Sequence, residues 1–280
     1  MTTVPDSSNN YCYRHPGRQS FVLCQRCGRT ICPECQVQAA VGVHCVECAR
    51  QDRREAPRVN RGRPAFLRNL TGREAPVVTY VIIALCVVVF LLQYLPGVTS
   101  ALQFAGLYVM PSTGIPVEPW RMLTSVFLHG SILHLLFNMY TLFVFGSALE
   151  RMLGKGRYIA LYLISGFGGS VAVALLADPR QPVVGASGAI FGLIGAYFII
   201  NRHLGGNSVQ LLVLVAINLV YGFVVPGIAW QAHVGGIIAG AVVALIYVRT
   251  RAIRQKGLQI ALVSAVSAAL VGLTVVAAVV

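Results

Sequence analysis

Seven long apolar runs constrain this chain more than any other feature: residues 77–95, 122–149, 157–177, 185–202, 208–225, 228–248 and 258–280. A helix needs about 20 apolar residues to cross a bilayer, so each run predicts a spanning helix. Charged residues make up 11% of the 280, against about a quarter in an ordinary soluble domain. The first run begins behind a polar segment, too far from residue 1 for a signal peptide. The expected fold class is an all-α polytopic membrane protein.

The formal charge of +13 invites a nucleic-acid reading, but its placement argues against one. Arg50, Arg53, Arg54, Arg58, Arg61, Arg63, Arg68 and Arg73 precede the first run. Arg151, Lys155 and Arg157 follow the second, Arg202 the fourth, and Arg249, Arg251, Arg254 and Lys256 the sixth. The alternate loops hold only Arg121 and Arg180. Lys and Arg accumulate in cytoplasmic loops, so the N-terminus is expected inside and the C-terminus, after seven spans, outside a multi-pass plasma-membrane protein. The lipid bilayer is the partner this charge pattern implies; no nucleic acid is expected.

Seven of the eight cysteines lie within residues 12–48. In reducing cytosol such a cluster reads as metal-binding before disulfide. The pairs Cys12/His15, Cys24/Cys27, Cys32/Cys35 and Cys45/Cys48 each have a two-residue gap, which suits a turn offering two ligands to one tetrahedral zinc. Eight ligands imply two structural zinc ions. Spacing alone does not pair them. An interleaved arrangement is preferred, with Cys12, His15, Cys32 and Cys35 on one ion and Cys24, Cys27, Cys45 and Cys48 on the other. His44, beside Cys45, is a competing ligand. So small a head buries too little core to fold unaided, so metal binding would supply much of its stability. The segment resembles a B-box-type zinc finger, although its last pair is Cys–Cys. The division expected is a disordered tail at 1–10, the two-zinc head at 11–49, a basic linker at 50–76, a six-span core at 77–248, and a basic loop with a seventh span at 249–280. The head is a candidate docking site for a cytosolic protein partner. Cys86 reads as a small core or lipid-facing hydrophobe.

Polar side chains inside a bilayer are costly and default to functional hypotheses. Four stand out: His134 and Asn138, four apart and so on one helix face, Ser187 in Gly185-Ala186-Ser187-Gly188, and His233 in Ala232-His233-Val234-Gly235-Gly236. Gly188/Gly192 and Gly236/Gly240 are small-xxx-small pairs that let helix backbones approach. If the fourth and sixth spans pack through them, Ser187 and His233 meet. Both runs enter from the outer side, Ser187 about two and His233 about five residues in, so both lie within roughly 8 Å of the outer mouth at 1.5 Å per residue. The second run is longer than a bilayer needs. Starting its membrane part near Ser131 brings His134 and Asn138 to the same layer. His129 reads as a mouth residue or helix-entry contact, His203 as interfacial, and Glu150-Arg151 as positioning the cytoplasmic turn before Gly154.

In combination with Trp120-Arg121 in the first outer loop, these motifs resemble the rhomboid family of intramembrane serine proteases over about residues 70–280. The resemblance implies a six-helix core and a Ser–His dyad, with Ser187 as nucleophile and His233 as general base. It also implies that His134, Asn138 and the Ser187 backbone N–H donate to the oxyanion. No Asp or Glu lies deep in any run to complete a triad. Many family members carry tyrosine four residues after the serine; here Phe191 keeps the ring and loses the hydroxyl. The implied partners are transmembrane protein substrates, cut near their outer ends. One rival is a non-proteolytic relative that binds transmembrane clients, but those lack the serine or histidine. The other is a transporter, which would call for broken helices or inverted repeats lining a path.

Overall fold

The computed structural model describes residues 10–39, 41–55, 75–225 and 227–279. The chain divides into two compact units, Met1–Pro64 and Ala65–Val280. The expected tail, but for its last residue, and the linker arginines from Arg58 to Arg73 lie outside the described residues.

The head is built from short pieces. Strand β1 (Tyr11–Cys12) pairs antiparallel with β2 (His15–Gln19), and β3 (Val37–Gln38) with β4 (Val43–His44); helix α1 (Val46–Glu55) closes it. Its core is Ile31 with six of the head's seven cysteines, Cys27 being exposed, and Tyr13 and Val43 add partial cover. That is a small apolar core. Helix α1 carries Cys48 and continues through Glu55, where Arg26 pairs with both Asp52 and Glu55.

The second unit is helical. After α2 (Val77–Leu92) and the short α3 (Val98–Leu102) come the turns Gly106–Val109 and Pro111–Thr113, then α4 (Arg121–Thr124). Helix α5 (Ile132–Thr141) runs through a π-turn at Leu142–Gly146 into α6 (Ser147–Leu153). Helices α7 (Lys155–Leu176), α8 (Ser187–His203), α9 (Val209–Val224), α10 (Trp230–Arg249) and α11 (Lys256–Val279) complete the unit. Among the described residues four stretches are long and apolar enough to cross a membrane: Ile132–Leu153, Lys155–Leu176, Trp230–Arg249 and Ile253–Val279. Helices α2 and α9 are shorter and apolar, and the 17-residue α8 is the remaining member. The result is a six-helix core with a seventh, C-terminal helix, in a multi-pass membrane protein. The 122–149 run is not one helix: the chain turns at Leu128–Gly130, and Ser131 restarts it by accepting the His134 N–H at 3.2 Å.

The centre of the unit is a three-helix contact among α7, α8 and α10, drawn together by glycine. A Cβ on Gly236 or Gly240 would overlap the carbonyl oxygen of Gly188 or Gly192, and one on Gly235 would overlap that of Gly168. Lipid is as apolar as a helix surface, so close van der Waals packing must supply the attraction that water supplies in soluble proteins. Cys86 is fully buried in this core and does not face lipid.

Two anchors hold the first helix. The carboxylate of Glu150 accepts the Val78 and Thr79 N–H groups at 2.9 and 2.8 Å and the Thr79 hydroxyl at 2.8 Å. These amides belong to the first turn of α2, whose N–H groups have no intrahelical acceptor. Glu150 therefore acts on α2, across 72 residues of sequence, and not only on its own turn. At the other end, Gln93 accepts the His129 N–H at 2.9 Å and donates to the His129 carbonyl at 3.2 Å.

Candidate active site

Ser187 is the first residue of α8 and His233 lies in the first turn of α10. The glycine contacts along these two helices bring their beginnings together, leaving His233 Nε2 3.0 Å from Ser187 Oγ. If Nε2 accepts the hydroxyl proton, the neutral ring carries its own proton on Nδ1. That nitrogen is buried and has no hydrogen-bond partner among the described residues. What holds the ring is apolar: Phe191, one turn into α8, stacks on it with centroids 4.2 Å apart and planes 12° apart. On the other side Gly222 of α9 stands where a Cβ would come within 3.4 Å of Nδ1.

His134 and Asn138 share a face of α5 and open onto the same cavity, of about 1200 Å³, as Ser187 and His233. The Gly130 N–H donates to His134 Nδ1 at 3.3 Å. In a neutral imidazole this leaves the proton on Nε2. That edge faces Gly185, where a Cβ would lie 2.9 Å from His134 Nε2 and 3.8 Å from Ser187 Oγ. Gly185 also has φ +131°, which side-chain-bearing residues rarely adopt. It is the point where a donor histidine and the serine approach each other. Asn138 Nδ2 donates back to the His134 carbonyl at 2.8 Å, which leaves the second N–H of the amide for another acceptor.

His129 stands just ahead of α5 and is buried. It is 1% exposed, its ring meets that of His134 edge-on at 5.2 Å, and neither ring nitrogen has a partner among the described residues. Trp120 is exposed and Arg121 is buried; the guanidinium pairs with Glu118 and lies 4.0 Å over the Tyr108 ring. The loop reaches the serine through Phe104, which exchanges two backbone hydrogen bonds with Val183, at 3.2 and 2.7 Å. The Gly185 N–H then donates to the Ser125 carbonyl at 2.9 Å. Sequence reasoning missed Gly222 and Asn218, both on α9; Asn218 lines the cavity. The only signal for Asn218 was a polar residue in an apolar run, and Gly222 had none.

In the head, Cys12, His15, Cys32 and Cys35 form one cluster and Cys24, Cys27, Cys45 and Cys48 the other, with all ligand atoms of each within 4.8 Å of one another. Either cluster could hold a metal ion, and the donor sets suit zinc. Zinc–sulfur bonds of about 2.3 Å in a tetrahedron put two sulfurs about 3.8 Å apart, and Cys27 Sγ lies 3.8 Å from Cys45 Sγ. His15 Nδ1 lies 3.8, 3.4 and 3.5 Å from the sulfurs of Cys12, Cys32 and Cys35. The turn after Cys24 needs Gly28 at φ +73°, from which the N–H reaches the Cys24 carbonyl at 2.8 Å. Outer-shell donors are present: Cys45 N–H to Cys24 Sγ at 3.1 Å and Arg29 Nε–H to Cys27 Sγ at 3.3 Å. His44 belongs to neither cluster; its Nδ1 lies 2.6 Å from Asp52 Oδ2.

Fold and site together describe a polytopic helical membrane protein with a serine and a histidine in contact at one end of the bundle. The Rhomboid domain family model matches residues 116–250. The chain is 36% identical over 172 residues to the rhomboid protease GluP of Bacillus subtilis (strain 168), covering 59% of this chain and 34% of that one. It is 35% identical over 187 residues to YdcA of the same strain, covering 64% of this chain and 92% of YdcA. RHOMBOID-like protein 4 of Arabidopsis thaliana is 45% identical over 130 residues, 44% of this chain and 32% of that one. This chain belongs to the rhomboid family. It spans about a third of the length of GluP and of RHOMBOID-like protein 4.

Proposed function

We propose that this protein is a serine endopeptidase that hydrolyses peptide bonds in transmembrane segments of other membrane proteins. The observation that carries the reading is the 3.0 Å contact between Ser187 Oγ and His233 Nε2, made without an acidic third partner among the described residues. Serine is a weak nucleophile until a base takes its proton. In this mechanism His233 Nε2 accepts the hydroxyl proton as Oγ attacks the scissile carbonyl. It then returns the proton to the leaving amine, and a water repeats the cycle on the acyl-enzyme.

The oxyanion would be met by His134 Nε2–H, the free N–H of Asn138 and the Ser187 backbone N–H. The last of these sits at a helix N-terminus, where the first amides have no intrahelical acceptor and the dipole favours negative charge. Losing one such donor costs about 2.7–4 kcal/mol in kcat where it has been measured in other enzymes. Phe191 keeps His233 in plane by stacking, a task that a hydrogen-bonded carboxylate performs in a triad. A substrate helix must unwind at the cut, because a hydrogen-bonded helical peptide group is inaccessible, so small or helix-breaking residues are the expected preference there.

The site is assigned to the outer side of a plasma membrane, with the N-terminus cytoplasmic and the C-terminus outside, on the distribution of Arg and Lys. The proposed division is the head at 11–49, the linker at 50–76, the core at 77–248 and the seventh-span segment at 249–280. Two zinc ions, held by the eight ligands above, would be structural, since protein fills all four positions of each. They take no part in the hydrolysis. The head is left free to engage a cytosolic protein.

The test is cleavage of a model transmembrane substrate by the detergent-solubilised chain beside Ser187→Ala and His233→Ala, with a fluorophosphonate probe for Ser187. Wild type that cleaves no better than either variant would return the protein to the client-binding class. Metal analysis should find two zinc per chain.

A further inference from the structure

Helix α11 has no role in the chemistry above, yet both its ends are buried against parts that carry the site. At its N-terminal end Gln259 is 5% exposed. Its side-chain oxygen accepts from Arg157 Nε at 2.8 Å, and its amide donates to the Thr250 carbonyl at 3.0 Å and the Thr250 hydroxyl at 2.8 Å. Tyr247 donates its hydroxyl to the Arg157 carbonyl at 3.1 Å. One glutamine thus ties α11 to the start of α7 and to the end of α10, the helix that carries His233.

At the opposite end Ala277 is 2% exposed and packs in a cluster with Phe104, Val109 and Val173; Leu270 and Ala232 pack against the same cluster. Helix α11 also touches the two turns at Gly106–Val109 and Pro111–Thr113. Phe104 is the residue that pairs with Val183, two positions before Gly185, and Ala232 precedes His233. From Gln259 to Ala277 a helix rises about 27 Å at 1.5 Å per residue, close to the roughly 30 Å of a hydrocarbon core.

Between these anchors the helix holds on weakly. Only 6% of its most apolar stretch is buried, and lipid gives no hydrophobic drive to press it against the bundle. The attachment therefore depends on a buried polar clamp at one end and a small residue in a tight socket at the other. We propose that α11 is a brace for the active site, with Gln259 and Ala277 as positioning residues that hold the Phe104–Val183 pairing, and through it Gly185 and Ser187, against the bundle. The proposal rests on the protease reading only in giving that segment a catalytic use.

Amide hydrogen exchange on the full chain in detergent tests it, because exchange is read whether or not the protein cleaves anything. Ala277→Phe overfills the socket, Gln259→Leu removes the clamp, and Val271→Phe on the lipid-facing side, 54% exposed, is the control. Exchange at the Phe104, Val183 and Gly185 amides should rise on the order of tenfold in the first two and stay level in the control. In the same samples kcat on a transmembrane substrate should fall roughly tenfold with KM unchanged. Unchanged exchange in both variants overturns the brace, as does a rise spread evenly over all helices. Wild type without proteolysis overturns the protease reading and leaves the exchange result decisive for the brace.

Discussion

The imidazole of His233 lies flat on the ring of Phe191, 4.2 Å between centroids, and this stacking is the main restraint on a ring whose Nδ1 has no hydrogen-bond partner among the described residues. Phe191→Ala should therefore leave the fold intact and lower kcat by roughly tenfold or more, because a misdirected base costs orientation. Phe191→Tyr keeps the ring and should retain most of the activity. Initial rates on a transmembrane substrate check this, and an Ala variant as fast as wild type would remove Phe191 from the site.

Gly236 against Gly188 sets how near His233 comes to Ser187. Gly236→Val forces a side chain into a carbonyl oxygen, which overpacking data place at about 1–3 kcal/mol or more. A lower unfolding temperature and loss of fluorophosphonate labelling at Ser187 are expected together. Gly257, beside which a Cβ meets nothing within 4 Å, should accept Ala without either effect.

Glu150 satisfies three donors at the start of α2. Glu150→Ala strands all three in a buried site, at about 1–3 kcal/mol for each unmet group. Thr79→Val removes one donor along with its bond and should cost about 1 kcal/mol. Thermal unfolding of the two variants in one detergent should separate them clearly; equal shifts would contradict the anchoring.

The head should lose metal in acid with a dependence on Arg29. The Arg29 guanidinium, hydrogen-bonded to Cys27, holds that thiol down from its ordinary 9.0 to about 6. A depressed pKa keeps the thiolate, the ligand form, available until the pH falls through about 6. Arg29→Gln lets the pKa rise, so protons displace the metal at a higher pH. Zinc release followed with a chromogenic chelator should show its midpoint moved upward. An unmoved midpoint would take Arg29 out of the ligand set's control.

Much of this was legible in the sequence because the signals were local. Apolar runs marked seven helices, and six of them match the observed bounds to within a few residues, whereas the 122–149 run breaks and its spanning helix starts only at Ile132. Two-residue gaps marked the ligand pairs, and the interleaved grouping is the one the two clusters have. The small-xxx-small pairs marked the helix faces that meet. The backbone of His129 is held by Gln93, 36 residues away, and nothing in its neighbours announces that partner. Glu150 was assigned to its own turn because its partners, Val78 and Thr79, lie 72 and 71 residues off.

What the sequence alone determined is what periodicity and residue type carry: spanning helices, cysteine and histidine pairs that could hold metal in the head, and a serine and a histidine each at the start of its helix. Tertiary structure decided how that pair is held. It set Phe191 on the His233 ring, Gly222 beside its Nδ1, Gly185 between His134 and Ser187, and Phe104 against Val183. Each of these is a contact between parts of the chain far apart in sequence or on different faces of the bundle, and only packing, which no local pattern encodes, determines which of them meet.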